Sequence, residues 1–308
     1  MKLISENLHI ISKNTKEAVK NRDEFYIKNL LKRQIAANPD WIDLNIGPAR
    51  GAFAGAMEWI VNIASEMTDI PLSLDTTNID EIESGLKLAK NPQNWIINST
   101  SADFERLEAV TDVAVKYNAN IIALTMNSEL GIPKESDGRL ELAFEINEKT
   151  QEKGIENEKI FFDPLILPVA VEQSQAVEAL NTIRMLKESF EPPVLTTIGL
   201  SNVSNGAPAQ LRPLINRVFF VLAAGCGLDS AIVDSFDSEL LRINGLLENQ
   251  TPQNAADELI LSIYETMCDF GEIDDVACDL SDRSQLEIFK TARVLLNKTV
   301  YSNSYLEI

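Results

Sequence analysis

Short apolar runs alternate with stretches of helical periodicity at intervals of roughly 25–35 residues, which reads as successive βα units. Strands are predicted at KLIS near residue 2, WIDLNIG (41–47), PLSLDTT (71–77) and NWIINST (94–100). Four more fall at NIIALTMN (120–127), IFFDP (160–164), PVLTTIGLSN (193–202) and SAIVDSFD (230–237). Several are near-continuous hydrophobic runs, the pattern of parallel strands covered on both faces.

The intervening helices have readable ends. Asn14 is placed to cap a first turn containing Glu17, and ANPD (37–40) stops the helix that follows. LRPLINRVFFVLAAG (211–225) has Pro213 near its start and Gly225 at its end. Leu214, Val218, Val221, Leu222 and Gly225 recur at helical spacing and form its core-facing stripe. Eight βα units in about 240 residues predict a TIM (β/α)8 barrel, an α/β fold. A doubly wound sheet is the runner-up, but no glycine fingerprint supports it. GCGLDS (225–230) follows a helix and precedes a strand, so it is a turn and not a dinucleotide loop.

One segment breaks the rhythm. Residues 251–282 hold nine acids and no lysine or arginine, with Leu259, Ile260, Ile263, Tyr264 and Met267 at helical spacing. A helical insertion in the last βα unit, about residues 247–283, with a solvated acidic face is expected. The acids lack the spacing of a calcium loop, and no metal is proposed. The whole chain, 1–308, then reads as one barrel domain.

Charge and composition narrow the function. The formal charge is −20, which argues against nucleic-acid binding, since that needs a basic face. An anionic small ligand stays compatible, because a local arginine or helix N-terminus can offset the global field. Three widely spaced cysteines make no disulfide framework, and the single histidine, His9, makes a zinc site improbable. Neither a signal peptide nor a run of the ~20 apolar residues that cross a membrane is visible. A cytoplasmic protein is expected.

In a TIM barrel the active site is built at the C-terminal strand ends. Those ends read Asp43 and Asn45, Asp75 to Asn78, Asn98 to Thr100, Asn127, Asp163, Ser201 and Asn202, then Asp234 and Asp237. Ser99, Thr100, Thr77 and Asp237 are ordinary turn or cap residues. Asp43, Asp75 and Asp163 are harder to dismiss, because each follows an apolar run that buries its carboxylate. The ring is poor in lysine and histidine. No lysine ends a strand, as a Schiff-base enzyme requires, and no ligand cluster suits a metal. Amides and isolated carboxylates suit a flat heterocycle rich in donors and acceptors, such as a pterin, whose ring N–H lies beside an exocyclic amino group.

At these strand ends the sequence resembles the methyltetrahydrofolate:corrinoid protein methyltransferases of the pterin-binding superfamily. The matching stretches are DLNIGPA (43–49), LDTTN (74–78), INST (97–100), LTMN (124–127), DPLILP (163–168), GLSNVS (199–204), RPLINR (212–217), CGLDSAI (226–232) and LLNKTVYSNSY (295–305). The resemblance implies a TIM barrel, usually a homodimer, that binds tetrahydrofolate or 5-methyltetrahydrofolate in its mouth. It implies methyl transfer between pterin N5 and the cobalt of a corrinoid carried by a partner protein. It further implies that Asp163, Asp75 and Asn98 hold the pterin edge and that Gly199 and Ser201 border it. Asn202 is implied to hydrogen-bond N5, and Arg212 to lie near the ligand, where it can meet a folate carboxylate.

Departures from the pattern are local. Where the family's first strand ends in a Glu-Arg/Asn-Ile-Asn pattern, this chain reads SENLHI (5–10), with His9 in place of an asparagine, and His9 is taken as a satisfied loop residue. NGAPAQL (205–211) brings two extra residues before Arg212. The long insertion suggests a different corrinoid partner, such as one serving O-demethylation. Asn202 does not titrate, so its expected role is to stabilise protonated N5, with the proton coming from solvent. Two rival readings are a dihydropteroate synthase-like enzyme and a non-catalytic folate-binding subunit. The first is disfavoured because the last strand, AIVDSFD, lacks the arginine and histidine usual there.

Overall fold

The computed structural model describes residues 1–307. Eight parallel strands are present: β1 (Lys2–His9), β2 (Trp41–Asn45), β3 (Leu72–Asp75), β4 (Ile96–Thr100), β5 (Asn120–Leu124), β6 (Ile160–Asp163), β7 (Leu195–Thr196) and β8 (Ser230–Val233). Their order is β7-β6-β5-β4-β3-β2-β1-β8. The last seam is closed beyond β7, where Gly199 bridges Ile232 and the Ile232 N–H donates to Ile198 O at 2.8 Å. The architecture is a TIM barrel, as the strand count and spacing predict.

Alternation along the strands builds the interior. Ile4, Ile96, Ile122 and Phe161 form a closed apolar cluster, with Trp41, Leu124, Leu195 and Ile232 packed against it. These side chains fill the barrel, so it has a floor and not a pore. Residues one step away on each strand point outward to the helices: Ile42, Leu44, Leu72, Leu74, Ile97 and Ile121 are all buried in the shell. Residues two steps further toward the C-terminal ends point inward again, and there the apolar character stops.

The helical shell comprises α1 (Lys13–Lys20), α2 (Glu24–Ala36), α3 (Ala56–Met67), α4 (Ile79–Leu86), α5 (Phe104–Tyr117), α6 (Ser136–Glu152), α7 (Ser174–Ser189), α8 (Arg212–Gly225), α9 (Ser238–Asn249), α10 (Ala255–Cys268) and α11 (Arg283–Leu295). Two sequence expectations shift. The cap of α1 is Ser12, whose Oγ accepts the Thr15 N–H, and Asn14 lies inside the first turn. The seventh strand is only two residues long. Beyond Thr196 the backbone leaves β6 to reach β8, then tightens into a 3-10 turn over Leu200–Ser204.

The insertion is helical, but its acids are not all solvated. Helix α10 lies against α8 so closely that a Cβ on Gly225 would stand 2.5 Å from Met267 Cβ and 2.7 Å from Tyr264 O. Only glycine permits that approach. Asp257 is fully buried there. Arg242 grips it with two bonds, Nη2 to Oδ1 at 2.7 Å and Nη1 to Oδ2 at 3.1 Å. The other eight acids of 251–282 face solvent at least in part. Among the described residues no helix is long and apolar enough to cross a membrane.

Candidate functional site

The inward positions above the floor are Glu6 on β1, Asp43 on β2, Asp75 on β3, Asn98 on β4 and Asp163 on β6. Register holds them side by side: Asn45 pairs with Asp75, and Asp75 with Asn98. Hydrogen bonds link them across strands. Asp43 Oδ1 accepts from Ser73 Oγ at 2.6 Å and from Asn98 Nδ2 at 3.1 Å. Asn45 Nδ2 donates to Asp75 Oδ2. Asp43 is therefore a strut that aims the Asn98 amide, a role its place in the polar ring did not specify.

Burial sets the electrostatics of this layer. Desolvation raises the pKa of Asp163 to about 6, against the opposing N–H groups of Leu165 and Gly199 and the nearby Arg139. Burial likewise pushes Asp43 and Asp75 above the usual carboxylate range, and the Asp43 charge pushes Asp75 further. No ion pair among the described residues includes Glu6, Asp43, Asp75 or Asp163. Each is instead oriented by neutral donors, which leaves acceptor capacity pointing into the mouth.

Two arginines stand behind the layer. Arg106 of α5 donates to Ser99 O at 2.9 Å, Thr77 O at 2.8 Å and Thr76 O at 3.1 Å, stapling the exits of β3 and β4. Arg139 of α6 is completely buried and donates to Pro133 O at 2.9 Å and Leu165 O at 3.3 Å. Leu165 adopts a left-handed φ of 63°, which is unfavourable for leucine. Its N–H bond to Asp163 Oδ1 at 2.8 Å and the Arg139 clamp on its carbonyl hold it there.

The 3-10 turn after β7 closes the ring. Ser201 Oγ donates to Glu6 Oε1. Asn202 is exposed at the mouth and its side chain folds back on Gly199, where a Cβ would stand 2.9 Å from Nδ2. The buried Thr197 hydroxyl has no hydrogen-bond partner among the described residues, a further free polar group in this wall. Arg212 is different. It opens α8, is exposed, and donates from Nε to Ala207 O at 2.8 Å. It bonds to none of the carboxylates among the described residues.

Glu6 is the residue that the sequence reading left out of the site. Its signal is the two-residue step from inward-facing Ile4, which the apolar run KLIS hides by ending at Ser5. Burial lifts the Glu6 pKa to about 7, aided by the charges of Asp234 and Asp43 and opposed by the Ser201 hydrogen bond. His9 lies at the end of β1, where Nδ1 accepts the Ser12 N–H at 3.3 Å, and burial lowers its pKa. Asp237 caps α9 through the N–H groups of Glu239 and Leu240, and Asn78 caps α4.

A cleft of about 350 Å³ also opens outside the barrel, lined from α8, α9, α10 and α11. Its arginines are committed, Arg217 to Asp237 at 2.6 Å and Arg242 to Glu239 and Asp257. The mouth, with oriented but unpaired carboxylates over an apolar floor, is the better chemical candidate.

Comparison with known proteins agrees on the fold and the family. The methylcorrinoid:tetrahydrofolate methyltransferase of Eubacterium limosum is 25% identical over 243 residues, covering 78% of this chain and 88% of that protein. The methionine synthase of Mycobacterium leprae is 28% identical over 249 residues, but the match spans only 20% of that longer protein. Among solved structures, the dihydropteroate synthase of Yersinia pestis with a pterin-sulfa conjugate superposes with a TM-score of 0.55 at 15% identity. That match covers 80% of this chain and 94% of the other, and at this identity it speaks to fold alone. The family model described as pterin binding enzyme matches residues 29–234, two thirds of the sequence. The chain belongs to the pterin-binding enzyme family.

Proposed function

We propose that this protein is a methyltransferase that moves a methyl group between N5 of tetrahydrofolate and a corrinoid held by a separate protein. The observation that carries the reading is the acid-and-amide layer of the mouth, its carboxylates in no ion pair among the described residues and set on an apolar floor. A pterin fits that donor set. Its ring N–H and amino group present two parallel donors, which an ionised carboxylate accepts together. Asp163 and Asp75 are the acceptors in this reading. Asn98, aimed by Asp43, completes the edge, and Gly199 and Ser201 border the ring. The likeness to the E. limosum methyltransferase over most of both chains supports it.

The corrinoid, when docked, would supply the metal centre that gives up or takes up the methyl group. This chain's part is to place N5 under it and to manage charge on nitrogen. An amine leaves poorly unless it is protonated, so a donor or acceptor that tightens at N5 as the bond breaks lowers the barrier. Asn202, exposed at the mouth and free to swing about Gly199, serves that role. Arg212 holds Ala207 O through Nε, and its Nη groups are offered to the folate tail carboxylates. Residues 1–308 act as one pterin-binding unit, and the assembly comprises a second copy of the chain and the corrinoid protein. Both transfer directions use the same groups. The direction in the E. limosum enzyme's name, corrinoid to tetrahydrofolate, is the one assigned, in keeping with service to O-demethylation.

Calorimetric titration of 5-methyltetrahydrofolate under anaerobic conditions tests the reading. The intact protein binds, and Asp163→Ala weakens binding by about 10²-fold, the loss of two charge-assisted hydrogen bonds. Absence of binding by the intact protein overturns it. Binding without any methyl transfer supports a folate-binding subunit instead.

A further inference from the structure

Glu6 has a geometry that the ligand contacts above leave unused. Its side chain enters the mouth from β1, the strand that joins β2 on one side and β8 on the other. Ser201 Oγ donates to Oε1, so that oxygen is fixed as an acceptor. Oε2 accepts no hydrogen bond among the described residues, and it is not among the sealed, unsatisfied polar atoms. The second oxygen therefore faces the open mouth. When the carboxyl is neutral, the serine bond to Oε1 favours the proton on Oε2, the oxygen that faces the mouth.

The surroundings favour that neutral form. Asp43 stands on β2, Asp234 follows β8, and His9 lies further along β1. The remaining neighbour, Ser201, is neutral. No lysine or arginine is paired with Glu6 among the described residues. Asp234 is itself oriented by Asn7, whose Nδ2 donates to Oδ1 at 2.6 Å. Ser201 is also the residue before Asn202, so one hydrogen bond ties the acid to the turn that presents the amide.

Resting on the methyltransferase reading, we propose that Glu6 is the proton carrier of the mouth, delivering a proton from Oε2 to N5 as the methyl group leaves and recovering it in the reverse transfer. In the forward sense the C–N5 bond breaks, its electron pair stays on nitrogen, and the methyl carbon bonds to the acceptor's nucleophile. The proton passes from Oε2 to N5 and leaves a Glu6 carboxylate, which water at the mouth reprotonates. In the reverse sense N5–H gives its proton to that carboxylate as the new C–N5 bond forms. Asn202 steadies the nitrogen in both senses but carries no proton. The sign of the pH dependence follows. Methyl removal from folate needs neutral Glu6 and slows as pH rises through about 7. Methyl addition needs the carboxylate and slows as pH falls through the same range.

The test is single-turnover transfer in both directions with free reduced and methylated cobalamin as the exchange partners, from pH 5.5 to 8.5. Wild type, Glu6→Gln and Ser201→Ala are compared, each first shown by calorimetry to bind folate. Glu6→Gln should bind but lose the inflection near pH 7, and its rate at pH 6 should drop by about 10²-fold, the usual worth of a general acid. Ser201→Ala removes the bond that favours the ionised form, so its inflection should move to higher pH. Equal profiles and rates in wild type and Glu6→Gln overturn the role of Glu6 and leave methyl transfer standing. Binding with no transfer by wild type overturns the methyltransferase reading, and proton delivery falls with it.

Discussion

At the barrel mouth, Glu6, Asp43, Asp75 and Asp163 face one opening with no ion-pair partner among the described residues. In the segment 251–282, nine acids spread over an outer surface, and the buried one, Asp257, has Arg242 on both oxygens. The same residue types thus meet two different costs. A buried carboxylate with a bidentate arginine is compensated, and its neighbours can ignore it. A buried carboxylate with only neutral donors remains partly uncompensated, so it holds its proton longer and has acceptor capacity for something absent from the fold. The outer segment holds nine of the 47 acidic residues and no lysine or arginine. The proposed chemistry belongs to four acids that bulk composition does not single out.

This contrast predicts that mouth substitutions damage ligand chemistry and leave the fold alone, while breaking the buried Arg242–Asp257 pair does the reverse. The largest effect is expected at Asn202. Asn202→Ala should lower the single-turnover methyl-transfer rate by about 10²–10³-fold, the range for loss of one transition-state hydrogen bond. Its denaturation midpoint should hardly move, because the side chain is exposed. A rate unchanged within twofold would remove Asn202 from the chemistry. The mirror experiment is Asp257→Ala, which leaves the partly buried Arg242 with Glu239 as its remaining carboxylate. Since Arg242 keeps some solvent access, about 2–3 kcal/mol of stability should be lost, at the low end for a broken buried pair. Urea denaturation reads this directly. Affinity for 5-methyltetrahydrofolate should not change, and a parallel loss of affinity would mean that the insertion reaches the mouth.

Much of this was legible from pattern alone. Apolar runs place all eight strands, and Asp43, Asp75, Asn98 and Asp163 are found where those runs end. Pro213 and Gly225 bracket α8 because ring closure and the missing Cβ act locally. What was illegible depended on neighbours distant in sequence. The seventh strand stops after two residues because the chain must cross to β8, a demand no local pattern records. Asp257 looks like its solvated neighbours until Arg242 is placed beside it. Asp43's grip on Asn98 spans 55 positions. Glu6 was within reach, since inward Ile4 implies an inward residue two steps later, but a charged residue ending a short apolar run reads as the end of a strand.

A pH experiment sharpens the mouth half of the contrast. Asp163 has a raised pKa of about 6 in the free protein, and the pterin donors favour its ionised form. Above that pH the carboxylate is ready, and affinity should be flat with respect to this group. Below it, each binding event must expel a proton, so affinity should fall up to tenfold per pH unit. Calorimetry in buffers of different ionisation enthalpy would count the proton released. A flat affinity from pH 7.5 to 5 would mean that Asp163 does not accept from the ligand.

The smallest effect tests the outer half. Glu265 and Asp269 are exposed on and after α10 and are held in no ion pair among the described residues. Replacing both with the matching amides removes two charges from a surface already rich in them. Stability should change by less than about 0.5 kcal/mol, the usual scale for such sites. If anything it should rise, since like charges on one surface repel. Folate affinity and transfer from free cobalamin should be unchanged. Transfer from a protein-bound corrinoid is the informative measurement, because it alone asks whether this acidic face meets a partner. A drop there, with free cobalamin unaffected, would turn the outer acids from a solubilising surface into a recognition surface.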